Sequence, residues 1–182
     1  MGDHGYVATT RGRQTVRDMV LSMAVIGLIA GFIYLFVPHD PSQDPVQPVS
    51  YEVEVATARR AAPYPVAAPE GLPDTWRATS VWYREDSEHG AAWHLGFVGP
   101  GQEYAAVEQS DGEAAPFVDS VTHGARSTGE TQRINGATWT RYRGPKYDAL
   151  VRTEPGVTTV VTGTAPFREL VELAEALKAE RG

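Results

Sequence analysis

AWHLGFVGPGQEYAAVEQ, residues Ala92–Gln109, is the stretch from which the fold can be read. Trp93, Leu95 and Phe97 alternate with smaller or polar residues. That period of two predicts a strand, Ala92–Val98, with one strongly apolar face. Gly99-Pro100-Gly101 predicts a turn, and Glu103–Gln109 a returning strand. Two strands joined by so short a connection must run antiparallel.

Working toward the C-terminus, Ser110–Ala115 reads as a loop. Pro116–Gly124 reads as a short helix with Pro at its first position and Gly at its end. Thr131–Ile134 and Ala137–Arg143 flank Asn135-Gly136, a pair suited to a type I′ turn, and predict a second hairpin. Tyr147–Thr153 and Val157–Gly163 follow as strands around Glu154-Pro155-Gly156. Pro166–Glu180 predicts a terminal helix. Its apolar stripe is Phe167, Leu170, Val171, Ala174 and Leu177, with Glu169, Glu172 and Glu175 outward.

Toward the N-terminus, Trp76–Arg84 predicts a strand and Glu85–Gly90 a polar loop. Pro63, Pro65 and Pro69 force an extended path. Tyr51, Val53 and Val55 alternate with Glu52 and Glu54, which predicts another strand, followed by a helical turn at Ala56–Ala62. The four tryptophans read as core and sheet-face packing. The expected fold class is α+β. A mainly antiparallel sheet packs with a C-terminal amphipathic helix and a short middle helix, because an apolar sheet face needs cover.

Ahead of this domain lies MVLSMAVIGLIAGFIYLFV, Met19–Val37, without a charged residue. Nineteen residues in a helix rise about 28 Å, close to the hydrocarbon thickness of a bilayer. The stretch is longer than the apolar region of a signal peptide, and no small-x-small site follows it. It reads as an uncleaved N-terminal transmembrane helix. Arg11, Arg13 and Arg17 precede it, and no Lys or Arg follows until Arg59, so the N-terminus is expected in the cytoplasm. Gly27 and Gly31 form a Gly-x-x-x-Gly pair, a spacing that lets two spans pack closely but is also common in single spans. Pro38–Ser50 holds four prolines and reads as a semi-rigid linker of at most about 40 Å. The expected organisation is a cytoplasmic tail (1–18), a transmembrane helix (19–37), a linker (38–50) and an extracytoplasmic domain (51–182).

The formal net charge is −7 over 182 residues. Residues 1–18 carry a net +1, so the chain beyond them carries −8. A domain this acidic argues against nucleic acid as a partner, since phosphate binding needs a basic face. There is no cysteine, which excludes disulfides, thiolate metal sites, cysteine nucleophiles and lipid attachment through Cys.

Three clusters invite chemistry. Asp119, Ser120 and His123 lie within five residues on the predicted middle helix, and Ser-x-x-His puts two side chains on one face. No nucleophile elbow accompanies them. Glu85, Asp86, Glu88, His89 and His94 collect acidic and imidazole groups, but in neither a zinc spacing nor a calcium-loop pattern. A solvated loop is the plainer reading. Arg141, Arg143 and Lys146 offer positive charge for anionic headgroups or wall polymers. The plainer reading pairs them with Glu108 or Glu154 on neighbouring strands. No catalytic, cofactor-binding or metal-binding residue is assigned from these patterns, and no cofactor is expected.

Ala62-Pro63-Tyr64-Pro65-Val66, Ala68-Pro69-Glu70-Gly71-Leu72-Pro73-Asp74-Thr75-Trp76 and Ala78-Thr79-Ser80 resemble a segment of an uncharacterised actinobacterial family of single-pass membrane-anchored proteins, defined as a domain of unknown function. Trp93-His94-Leu95-Gly96-Phe97, Tyr104-Ala105-Ala106-Val107-Glu108-Gln109-Ser110 and Gly163-Thr164-Ala165-Pro166-Phe167 extend the resemblance over most of the domain. It implies the same architecture and carries no catalytic residues with it. Thr75 stands where the family is expected to have Gly. The expected role is binding of a protein or cell-envelope partner without catalysis, with the bilayer as a further partner through residues 19–37. The alternative is an extracytoplasmic enzyme or small-ligand-binding protein with its site in a sheet–helix cleft. A sensor or regulator is disfavoured by a tail too short for an output domain.

Overall fold

A computed structural model describes residues 11–36 and 50–182. The chain divides into two units, with α1 (Arg11–Phe36) in the first and residues 50–182 in the second. The linker 38–50 lies outside the described residues except for Ser50. In α1 the described side chains are those of residues 16–32. Val16, Met19, Leu21, Met23, Ile26, Leu28 and Phe32 are all exposed there. Among the described residues no helix is long and apolar enough to cross a membrane. Met19–Val37 reaches beyond those side chains at its C-terminal end.

The second unit opens with α2 (Glu52–Ala61), where the sequence predicts a strand. Glu52 and Glu54 sit in its first turn and Arg59 and Arg60 in its last, the arrangement that complements the helix dipole. Val55 and Ala58, three apart, are the buried pair. Of the alternating Val and Glu that suggested a strand, Glu52, Val53 and Glu54 lie on the wet side of this helix and Val55 on its buried side.

β1 (Val66–Pro69) runs through the proline-rich segment. Then come β2 (Arg77–Ser87), β3 (Gly90–Val98) and β4 (Tyr104–Ser110). The expected loop Glu85–Gly90 is shorter in fact: the strands continue to Ser87 and from Gly90, leaving a two-residue turn at Glu88-His89. After α3 (Ala114–Val121) the chain returns as β5 (Arg126–Ile134), β6 (Ala137–Arg143), β7 (Asp148–Glu154) and β8 (Val157–Gly163). Pro116 falls within the first turn of α3, where a missing N–H costs nothing.

The seven strands form one sheet in the order β2-β3-β4-β8-β7-β6-β5, every neighbour antiparallel. Two meanders, β2–β4 and β5–β8, meet where β4 lies beside β8. α3 is the crossover between them.

The predicted terminal helix divides in two. α4 (Phe167–Ala176) is followed by β9 (Leu177–Glu180), which pairs antiparallel with β1 from Pro69↔Leu177 to Val66↔Glu180. The cause is the backbone of β1: its N–H and C=O groups need partners, and the last residues of the chain supply them.

Trp93, Leu95, Phe97, Val107, Leu150 and Val161 line the covered face of the sheet, against Leu170, Leu173 and Ala174 of α4 and Val55 and Ala58 of α2. The buried stripe of α4 is rotated from the predicted one. Leu173, which was not on it, is fully buried, and Glu169, expected outward, is 3% exposed against the Gly99-Pro100-Gly101 turn. Each fully buried leucine contributes about 1.5–3 kcal/mol.

β1 is fastened to this face by side chains. Gln109 accepts the Ala67 N–H through Oε1 at 2.7 Å and donates to Pro65 O and Thr159 Oγ1. Trp93 Nε1 donates to Ala67 O, and Tyr64 donates to Ala91 O. The opposite face is covered in part by α3, whose Phe117 and Val118 pack on Ala149, Val151 and Val160.

Candidate functional site

The rest of that second face belongs to β2, β3 and β4, and it is polar. Cross-strand register sets Trp82 opposite His94 and His94 opposite Glu108, so the three form one row across three strands. The next row is Ser80, Gly96 and Ala106. A bulge at Thr79 lets Ala78 and Val81, three residues apart, both face the covered side. Ser80 and Trp82 then share the other.

Three side chains connect end to end. Ser80 Oγ lies 2.7 Å from His94 Nε2, and His94 Nδ1 lies 2.6 Å from Glu108 Oε1. His94 and Glu108 are each 8% exposed, while Ser80 is half-buried. The Trp82 ring stacks on the imidazole at 5.0 Å and 13°, and the Arg84 guanidinium lies over the indole, 4.9 Å from its centroid.

Gly96 makes the convergence possible. A Cβ there would stand 2.4 Å from Ser80 Oγ, 3.2 Å from His94 Nε2 and 3.2 Å from the Tyr104 ring. Only a residue without a side chain leaves room for all three.

Burial pushes the Glu108 carboxyl above its ordinary value, against the hydrogen bond and charge of His94, which pull it down. Burial also raises the Tyr104 phenol, with Glu108 and Tyr147 adding to it, so Tyr104 stays neutral. With Glu108 ionised, His94 holds its proton on Nδ1 and donates it to the carboxylate. Nε2 is then the acceptor for the Ser80 hydroxyl. A hydroxyl, an imidazole and a carboxylate in that order are the parts of an activated nucleophile.

The clusters expected from sequence fare differently. Asp119 pairs with Arg126 at 2.8 Å, and the His123 ring packs on Tyr147 at 4.8 Å beside Lys146 Nζ at 3.3 Å. Among the described residues no hydrogen bond joins the Ser120 hydroxyl to His123. Glu85, Asp86 and Glu88 are exposed, and His89 turns its ring toward Phe117. His94 is drawn away from them into the sheet. No group of acidic and imidazole side chains able to hold a metal ion occurs among the described residues. Arg141 and Arg143 lie over the Phe167 ring, and Arg141 bonds Gln132 and approaches Glu130. The predicted partners are therefore corrected: Glu154 pairs with Arg152, and Glu108 with His94.

Sequence reasoning missed the link between His94 and Glu108, although a signal was present. Both are equidistant from Gly101, so a symmetric hairpin sets them opposite one another. Ser80 gave no such signal, because the bulge breaks the alternation of β2.

Three of the four tryptophans, Trp76, Trp93 and Trp139, are buried as expected, and Trp82 is the half-exposed one.

Among solved structures, the complex of Pseudomonas aeruginosa MucA and MucB contains a similar chain. The match has 14% identity and a TM-score of 0.37, and covers 64% of this chain and 35% of that one. The similar region is thus about a third of that chain's length. No curated protein matches the sequence. The family model described as "Protein of unknown function (DUF4245)" matches residues 11–177, nearly the whole chain, and the protein belongs to that family.

Proposed function

We propose that the chain is a single-pass membrane-tethered domain that binds a cell-envelope partner outside the cytoplasm. Tethering is supported by α1, whose large apolar side chains are exposed around its whole circumference, up to 74% at Leu28. From Met19 to Phe32 its residues are apolar or small on every side, a pattern that calls for an apolar solvent. The arginines ahead of it favour an N-terminus in the cytoplasm.

Binding at a surface, and not in an enclosed pocket, is supported by the volumes available. The sheet–helix cleft lined by Ile134, Trp139, Ala174 and Leu177 holds about 60 Å³, and the more open cleft beside it, lined by Pro65, Gln109, Arg152 and Val157, about 280 Å³, both below the ~300–1,000 Å³ of small-ligand sites. The second sheet face instead presents Trp82, Tyr104 and Tyr147 half-exposed beyond α3.

Two experiments test this. Single cysteines at Ser42 and Thr9 are treated on whole cells with an impermeant thiol reagent, and Ser42 alone should label. Reversed labelling removes the topology. A photo-crosslinking residue at Trp82 should capture a partner in cells that the same residue at Arg133 does not. Equal capture from both positions removes the binding face.

One observation favours a second reading, an extracytoplasmic enzyme: the order in which Ser80, His94 and Glu108 are connected.

A further inference from the structure

We propose that Ser80 is an activated nucleophile that accepts the acyl group of a carboxylic ester, with His94 as its base and Glu108 as the residue that positions His94. This deepens the second reading above and rests on it. The connectivity is specific. The hydroxyl meets Nε2 at 2.7 Å and the carboxylate meets Nδ1 at 2.6 Å, so the ring bridges the two with different nitrogens. A polar group buried only for packing needs a partner, but not this order of partners.

The burial is also graded. His94 and Glu108 are each 8% exposed, while Ser80, whose hydroxyl would meet a substrate, is half-buried on the edge strand β2. Trp82 over one side of the imidazole and Glu108 at Nδ1 leave the ring a single useful orientation. Gly96 keeps the space above the hydroxyl free of a Cβ.

The reaction balances with water as its one co-reactant. Ser80 Oγ forms a bond to the carbonyl carbon as its proton passes to His94 Nε2. The imidazolium so formed donates from Nδ1 to Glu108. The ester's C–O bond then breaks, and the leaving alkoxide takes the proton from Nε2, which leaves an acyl-Ser80. Water, deprotonated by His94 Nε2, attacks the acyl carbon, the C–Oγ bond breaks, and Oγ takes the proton back from Nε2 as the carboxylic acid is released.

The test uses the full-length chain in detergent micelles and a fluorophosphonate probe, in which the Oγ–P bond forms and P–F breaks. Intact mass and peptide mapping should find one adduct, on Ser80. Ser80→Ala should abolish it. His94→Gln should slow it at least about 100-fold, the lower range for a general base. Glu108→Gln should slow it while Ser80 stays the site modified, and the downfield imidazole N–H resonance of His94 should move upfield. Thermal melts check that each variant folds. If His94→Gln does not fold, Ser80→Ala and the rate relative to exposed Ser127 carry the result. No adduct, labelling of Ser80 no faster than Ser127, or full-rate labelling of His94→Gln overturns the proposal. Capture of a partner at Trp82 together with an unlabelled Ser80 leaves the binding reading standing and removes this one.

Discussion

The side-chain oxygen of Gln109 accepts the backbone N–H of Ala67 at 2.7 Å, in a site where Gln109 is 1% exposed. The amide also serves Pro65 O and Thr159 Oγ1 through its nitrogen. One buried side chain therefore satisfies two backbone groups of the proline-rich segment that carries β1. Gln109→Leu fits the same volume but leaves those groups without partners. Each unsatisfied buried group costs about 1–3 kcal/mol. Urea unfolding of the domain should show a loss of at least about 2 kcal/mol. A loss under half of that would mean that the Gln109 bonds add little to what the β9 pairing and the Trp93–Ala67 bond already supply.

The terminal helix gives a sharper contrast. Leu170 is fully buried between α4 and the sheet, and Leu170→Ala should cost about 2–5 kcal/mol. Glu175 is exposed, and Glu175→Ala should stay within about 0.5 kcal/mol. Glu172 would be a poor control, because its carboxylate accepts Trp76 Nε1 at 3.1 Å. Denaturant midpoints of both variants decide the matter. Equal effects would mean that α4 does not seal the core.

What was legible in the sequence was whatever depended on local pattern. The Ala92–Gln109 and Thr131–Arg143 hairpins follow from alternation and turn chemistry, and the structure has both. α2 was misread because alternating Val and Glu across five residues fits a strand or the wet side of a helix equally well. β9 was misread because Leu177–Glu180 has good helix formers, and only the distant strand β1 turns them into a ladder. The Ser80–His94–Glu108 connection needs a register between strands and a bulge. Neither is a property of any short window. The terminal helix was found, and Leu170 and Ala174 of its predicted stripe are buried, but the buried arc is rotated to take in Leu173 and Glu169, the latter against the Gly99–Gly101 turn.

Gly96 should be intolerant of even the smallest side chain. Gly96→Ala places a Cβ where Ser80 Oγ, His94 Nε2 and the Tyr104 ring converge. Overpacking of this kind costs about 1–3 kcal/mol. The expected result is a domain that still unfolds cooperatively but at a lower denaturant concentration, with a displaced Tyr104 ring in its NMR spectrum. A wild-type midpoint with an unchanged ring would show that the three groups do not meet above this residue.

Glu108 should give the domain a measurable dependence on pH. Its carboxyl is raised in the folded state by burial, which the His94 hydrogen bond and charge only partly offset. Between the ordinary carboxylate value and the raised one, the folded state therefore binds more protons than the unfolded state. Stability then falls as pH rises, because its slope follows the protons bound by the unfolded state minus those bound by the folded state. The contribution is complete below the unfolded value of 4.5 and is lost as pH climbs through the raised folded value. Glu108→Gln fixes a neutral group of the same shape that still offers an oxygen to His94 Nδ1–H. Relative to wild type, the variant should gain stability progressively from about pH 4.5 upward and level off once Glu108 is fully ionised. Urea midpoints of both proteins across this range read the difference directly. A difference independent of pH, or one that shrinks as pH rises, would mean that the attraction of His94 outweighs burial, and that Glu108 is held ionised throughout.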